Sequence, residues 1–235
     1  MNMKRSFILF VLVALLGCGK HPEPRQIVIL VDVSGSIERR SLEQAFRAIE
    51  KLAGRLRRGD GLTIIPILGD AEAEASGRII RVEVPLQRRA YDADIHAFQA
   101  KLSTTLKSAE SEALARPELR TDILGSVVLA EQEFGSDQRE RRRLLFVLSD
   151  FIQEGQDIDF KTHVPLKMPF AARTDTPDLK SAVVFLGLLQ SRDYARLPKT
   201  TRREIHKFWT SYFKGRGAEA KFVADGVGLL ATSTD

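Results

Sequence analysis

The chain has 235 residues, 43% of them apolar, enough for one domain with a sizeable core. Two of the charges behind its formal net +5, Lys4 and Arg5, lie in an amino-terminal segment expected to be removed, and the mild balance that remains is no argument for nucleic acid. Cys18 is the only cysteine, which excludes an intrachain disulfide.

Lys4 and Arg5 precede the apolar run from Phe7 to Leu16, too short to span a bilayer comfortably. The run ends in Leu15-Leu16-Gly17-Cys18, which resembles the lipobox of bacterial lipoproteins, where cleavage before the cysteine exposes it for lipid attachment. That resemblance implies a signal peptide over 1–17, a lipidated Cys18, a tether over 18–25 and a folded domain over 26–235. A tether of about eight residues reaches at most ~28 Å, and Pro22 and Pro24 stiffen it, so the domain is expected close to its membrane. Gly19 lacks the aspartate that retains many lipoproteins at an inner membrane. In a two-membrane organism the expected location is the periplasmic face of the outer membrane.

Ile27-Val-Ile-Leu-Val-Asp32 is short, continuous and β-branched, and predicts a strand buried on both faces. Leu42, Ala45, Phe46, Ile49, Leu52, Ala53 and Leu56 have helical spacing, with Ser41 and Gln44 as a candidate capping box. Gly59-Asp60-Gly61 turns the chain into a second strand over Leu62–Leu68, where Pro66 suggests an edge or bulge. Arg78–Val84 predicts an edge strand. Residues 91–115 predict a helix with Ile95, Phe98, Leu102 and Leu106 inward, ended by Pro117. Residues 121–134 predict another, with Ile123, Leu124, Val127, Val128 and Phe134 inward. The basic run Arg139–Arg143 is expected to be a solvated stretch, with contact to anionic lipid or an acidic partner as the alternative.

Leu144–Leu148 predicts a third buried strand, ending in Ser149-Asp150. Residues 151–180 are polar and punctuated by proline, and read as a loop or insertion. Ala182–Leu189 predicts a fourth strand, and 219–224 a last short one. Between them Thr200–Lys214 is an amphipathic helix carrying Ile205, Phe208, Trp209, Tyr212 and Phe213, released by Gly215 and Gly217. Strands alternating with helices predict an α/β fold, a doubly wound and mainly parallel sheet flanked by helices.

Three hard oxygens, Asp32, Ser34 and Ser36, fall within five residues of the first strand's end, at the sheet edge where open α/β folds place ligands. Thr121 opens a later helix, and Asp150 ends another buried strand. Oxygen donors of this kind suit magnesium or manganese better than zinc or copper. His21, His96, His163 and His206 do not cluster, and with no cysteine beside them zinc is disfavoured. A purely structural role is open to each residue: Asp32 and Ser36 as caps of the following helix, Thr121 as an N-cap, Asp150 as a turn former, and Asp122 as a first-turn partner of the helix dipole.

Asp32-Val33-Ser34-Gly35-Ser36, Thr121 and Asp150 together resemble the metal-ion-dependent adhesion site of the von Willebrand factor A domain, over roughly residues 26–230. The family places Asp-x-Ser-x-Ser after its first strand, a threonine in a second loop and an aspartate after its fourth strand. Many members follow that last aspartate with glycine, where Phe151 stands here, and the 151–180 segment is longer than the usual connection. The resemblance implies a Rossmann-like fold and a Mg2+ or Mn2+ ion held directly by the serines and threonine and largely through water by the aspartates. It further implies an open coordination position for a partner's carboxylate. On this reading the chain is no enzyme but a binding module in the bacterial envelope, holding an envelope protein that presents an acidic side chain.

Two other readings compete. One is a magnesium-dependent phosphotransferase or hydrolase with Asp32 as nucleophile, which usually wants a carboxylate two residues on, where Ser34 stands, and a strand-end lysine. The other is a scaffold of the same fold that uses no metal. A Ser-His-Asp hydrolase is disfavoured by the lack of a Gly-x-Ser-x-Gly elbow.

Overall fold

The computed structural model describes residues 23–74, 77–85, 88–137, 139–155, 158–165, 179–223, 228 and 230. The expected signal peptide, Cys18 and most of the 18–25 tether lie outside the described residues, as do 166–178 of the expected insertion.

Six strands form one sheet in the order β3-β2-β1-β4-β5-β6. They are β1 (Arg25–Asp32), β2 (Gly61–Ile67), β3 (Ile80–Glu83), β4 (Arg142–Ser149), β5 (Val183–Leu188) and β6 (Glu219–Val223). All neighbours pair in parallel except β3, which runs antiparallel along β2 at the edge. Every residue of β1 is buried, as its β-branched run predicts. Its alternate side chains divide between two cores. Ile27, Ile29 and Val31 pack with α1 (Arg39–Ala53) and α3 (Arg88–Ala115). Val28 and Leu30 pack with α4 (Ile123–Ser136) and α6 (Lys199–Gly215) on the other face. Two short helices, α2 (Ala71–Glu74) and α5 (Arg192–Arg196), complete the described elements. The fold is therefore doubly wound, and the strand order reverses between β1 and β4. At such a switch point the loops leaving the two strands diverge and open a crevice.

Several local expectations shift. Pro66 lies on an inner strand, but β3 pairs only with Gly61–Ile64, so Pro66 stands past the point where β2 has a second neighbour. The capping box is not formed. Helix α1 begins at Arg39 with Glu38 as N-cap and no side-chain cap, while Ser41 Oγ accepts the Gln190 N–H at 3.0 Å and ties the helix to a distant loop. Leu124 and Val128 are only half-buried, and Ser126, Ala130 and Glu131 line the inner face of α4 with Ile123, Val127 and Phe134. The α3 helix buries Leu102 and Leu106 as expected, while the side chains of Ile95 and Phe98 lie outside the described residues. The basic run is not simply solvated. Arg141 is buried against Asp137 and Glu83, and Arg143 donates to the Phe134 carbonyl. The described part of 151–165 is not polar in its packing either: Phe151, Ile152, Ile158, Phe160 and Val164 are all buried.

Candidate metal centre

Asp32 is the last residue of the fully buried β1, and its carboxylate is itself fully buried. One oxygen accepts the Ser34 N–H at 2.9 Å, which turns the loop back on the strand end. The other accepts the Ser149 hydroxyl at 2.6 Å, from the last residue of neighbouring β4. Ser149 Oγ in turn accepts the Phe151 N–H at 2.9 Å. Ser149 thus clamps both strand ends together, a role that sequence reading missed.

Asp150 is also buried. Its Oδ1 accepts the Ile152 N–H at 3.0 Å, so it forms the turn that was one of its expected roles. Its Oδ2 accepts the Ser36 hydroxyl at 3.1 Å, and Ser36 Oγ lies 3.0 Å from Ser34 Oγ. Asp32, Ser34, Ser36 and Asp150 are therefore joined in one hydrogen-bonded group. Ser191 helps to offset the effect of burial on the Asp150 carboxyl, while its Oγ caps α5 by accepting the Asp193 and Tyr194 N–H groups at 3.2 Å each.

Thr121 lies in the segment that runs beside this group. The Gly35 N–H donates to the Glu118 carbonyl at 2.9 Å, and the Glu118 N–H to the Val33 carbonyl at 3.1 Å. Further on, the Asp122 N–H bonds the Leu68 carbonyl at the end of β2, and the Thr121 carbonyl accepts the Glu154 N–H, both at 2.8 Å. The Thr121 side chain is buried and is not the cap of α4. That cap is Asp122, which accepts the Gly125 N–H at 3.1 Å. Gln153 assists from across the chain, accepting the Ile123 and Leu124 N–H groups at 2.8 and 3.0 Å and donating to Asp122 at 2.8 Å. Nor do Asp32 and Ser36 cap α1, whose N-cap is Glu38.

Phe151 has φ 64°, the left-handed conformation that glycine adopts without cost. A phenylalanine holds it because its ring is fully buried against Trp209 and Phe222, with centroids at 6.3 and 5.2 Å. The Trp209 indole N–H also donates to the Phe151 carbonyl at 3.0 Å. The Asp150 loop thus takes a glycine-like path without glycine.

The electrostatics of the group are unbalanced. Burial, reinforced by the charge of Asp150, pushes the Asp32 carboxyl up to about 7 against the hydrogen bonds from Ser149 and Ser34. Burial likewise raises Asp150. Among the described residues neither carboxylate has an ion pair with Lys, Arg or His. Two buried acids, three hydroxyls and no cation make a donor set that fits a hard divalent ion. Above Ser34 and Ser36 opens a cavity of about 370 Å³.

No sequence-family model matches the chain, and no curated protein matches it in sequence. In three dimensions it is similar to the conserved hypothetical protein BatB from Bacteroides thetaiotaomicron (17% identity, TM-score 0.50), over 89% of this chain and 95% of that one. It is also similar to the open conformation of the pilus adhesin SpaC from Lactobacillus rhamnosus GG (13%, TM-score 0.52), over 92% of this chain and 30% of that one. A von Willebrand factor type A protein from Catenulispora acidiphila matches at 12% identity and TM-score 0.48, over 90% of this chain and 41% of that one. This chain spans less than half the length of the last two. At such identities the likeness to BatB and SpaC is one of fold alone, which in this chain is a doubly wound, mainly parallel α/β sheet of six strands reversing its winding between β1 and β4.

Proposed function

We propose that this chain is a divalent-cation-dependent protein-binding module, anchored in the bacterial envelope by lipid on Cys18. The observation that carries the reading is the pair of buried carboxylates, Asp32 and Asp150, each accepting a serine hydroxyl and lacking a cationic side chain among the described residues. Ser34, Ser36 and Thr121 would hold Mg2+ or Mn2+ with their hydroxyls, with Asp32 and Asp150 acting largely through water. Bound there, the ion supplies a positive, incompletely neutralised centre for an anion. The carboxylate of a partner envelope protein fits that need, and the cavity above Ser34 and Ser36 leaves room for it.

A phosphotransferase or hydrolase is less well supported. Both Asp32 oxygens already accept hydrogen bonds, from the Ser34 N–H and the Ser149 hydroxyl, and the side chain is fully buried, a poor position for a nucleophile.

The test is calorimetric titration of Mn2+ or Mg2+ into the full chain in detergent. Binding is expected for the native protein and lost in Asp32→Ala; an unchanged affinity in the variant would overturn the assignment. Separately, Cys18→Ser is expected to move the protein out of membrane fractions, and retention of the variant there would argue against lipid anchoring.

A further inference from the structure

We infer that the rim of this centre reads a second acidic group on the partner, with Arg192 and Arg196 receiving it and Leu119 supplying an apolar contact beside them. The inference rests on the proposed partner-binding role of the centre and extends it from one acidic side chain to an acidic segment.

The cavity is lined by Ser34 and Ser36 of the centre, by Glu118 and Leu119, and by Arg192, Asp193 and Arg196 of α5. Its acids are already committed. Glu118 pairs with Arg78 at 2.6 Å, while Glu154 and Asp193 share Lys161 at 3.0 and 3.4 Å. Its two arginines are not. Among the described residues neither Arg192 nor Arg196 pairs with a carboxylate, and Arg192 Nη2 makes a 3.4 Å contact to the Gly35 carbonyl in the Ser34 loop. They stand one helical turn apart on α5, both exposed. Once the internal pairs are set aside, the rim presents two guanidinium groups, whose planar forks match a carboxylate.

Leu119 sharpens the identity of the occupant. It is 93% exposed, the one large hydrophobic side chain standing free among the described residues. An inorganic anion would satisfy the arginines and leave Leu119 in water. A polypeptide satisfies all three features at once, with one carboxylate at the serines, a second at the arginines and an apolar side chain on Leu119. The partner chemistry is therefore an acidic segment interrupted by an apolar residue.

The test uses the full chain in detergent and two fluorescently labelled peptides, hexaglutamate and Glu-Glu-Leu-Leu-Glu-Glu, followed by anisotropy with Mg2+ or with chelator. Replacing both arginines (Arg192→Ala with Arg196→Ala) is expected to weaken both peptides about tenfold or more. Leu119→Ser is expected to weaken only the leucine peptide, and inorganic phosphate is expected to compete poorly. A thermal melt checks folding, and Arg196→Ala alone, with a smaller loss of the same sign, serves if the double variant does not fold. Native-like peptide affinity in the arginine variants would overturn the inference, as would full displacement by phosphate. Binding that needs the arginines but not the cation would sink the metal reading and leave the rim standing. Binding that needs the cation but not the arginines would do the reverse.

Discussion

The two ends of the sheet bury acids in opposite ways. At the amino edge, Asp60 sits just before β2 and is 1% exposed. Its oxygens accept the Arg25 N–H at 2.8 Å, the Arg57 N–H at 2.8 Å and the Arg25 guanidinium at 2.6 Å. At the carboxyl edge, Asp32 and Asp150 are buried as deeply, yet their side-chain donors are neutral serine hydroxyls and the charge of Asp150 opposes that of Asp32. Burial alone does not make these acids alike. What separates them is whether the chain supplies the counter-charge. At the amino edge the counter-charge to Asp60 comes from Arg25, whereas at the carboxyl edge no described Lys, Arg or His pairs with Asp32 or Asp150.

The largest effect expected from breaking this contrast is at Asp60. Asp60→Ala leaves Arg25 buried without its partner and is expected to lower stability by about 3–5 kcal/mol in urea unfolding. Asp32→Asn, in buffer free of divalent ions, removes half of a like-charge pair. It is expected to leave stability unchanged or to raise it by up to about 1 kcal/mol. Equal losses in the two variants would erase the distinction between the edges.

Phe151 allows a finer cut. Phe151→Ala removes a fully buried ring and keeps a side chain at φ 64°, for an expected loss of about 3–5 kcal/mol. Phe151→Gly loses the same ring but relaxes the backbone, and is expected to recover about 1–2 kcal/mol of that loss. Glycine no more stable than alanine would mean that the Asp150 loop carries no strain.

The buried strands were legible because each is a short apolar run, and the Asp32-Ser34-Ser36 turn was legible because its donors lie within five residues. What failed was anything set by a distant partner. Ser41 has the spacing of a capping box, but its hydroxyl is taken by Gln190, 149 residues away. Ser149, Gln153 and Ser191 are ordinary polar residues in the sequence. Only the parallel pairing of β1 with β4 brings Ser149 to Asp32, and only the return of the chain after β4 brings Gln153 to the start of α4. One signal was available: Ser149 stands at the end of a buried strand, where a hydroxyl must find an acceptor. The segment after Asp150 misled through composition, since its buried residues, from Phe151 to Val164, follow neither a helical nor a strand period.

The smallest expected effect concerns His206, which lies on α6 against the helix that Ser191 caps. Its ring stacks on Phe222 with centroids at 4.1 Å, and its Nε2 lies 2.9 Å from the Tyr194 hydroxyl. Burial lowers its pKa from the ordinary value of 6.5. Between that lowered value and 6.5 the unfolded chain binds more protons than the folded one. The contribution of His206 is therefore complete above pH 6.5 and is lost as pH falls through the folded value. Asp32 and Asp150 act in the opposite sense. Their carboxyls are raised, so the stability of the cation-free protein grows as they protonate, beginning near pH 7 for Asp32. A single melting curve against pH mixes the two, and only a difference separates them. The difference in unfolding midpoint between the native protein and His206→Gln is expected to move against the native protein as pH falls from 7.5 to 5.5. A difference that stays constant over that range would mean that protonation of His206 is not linked to folding.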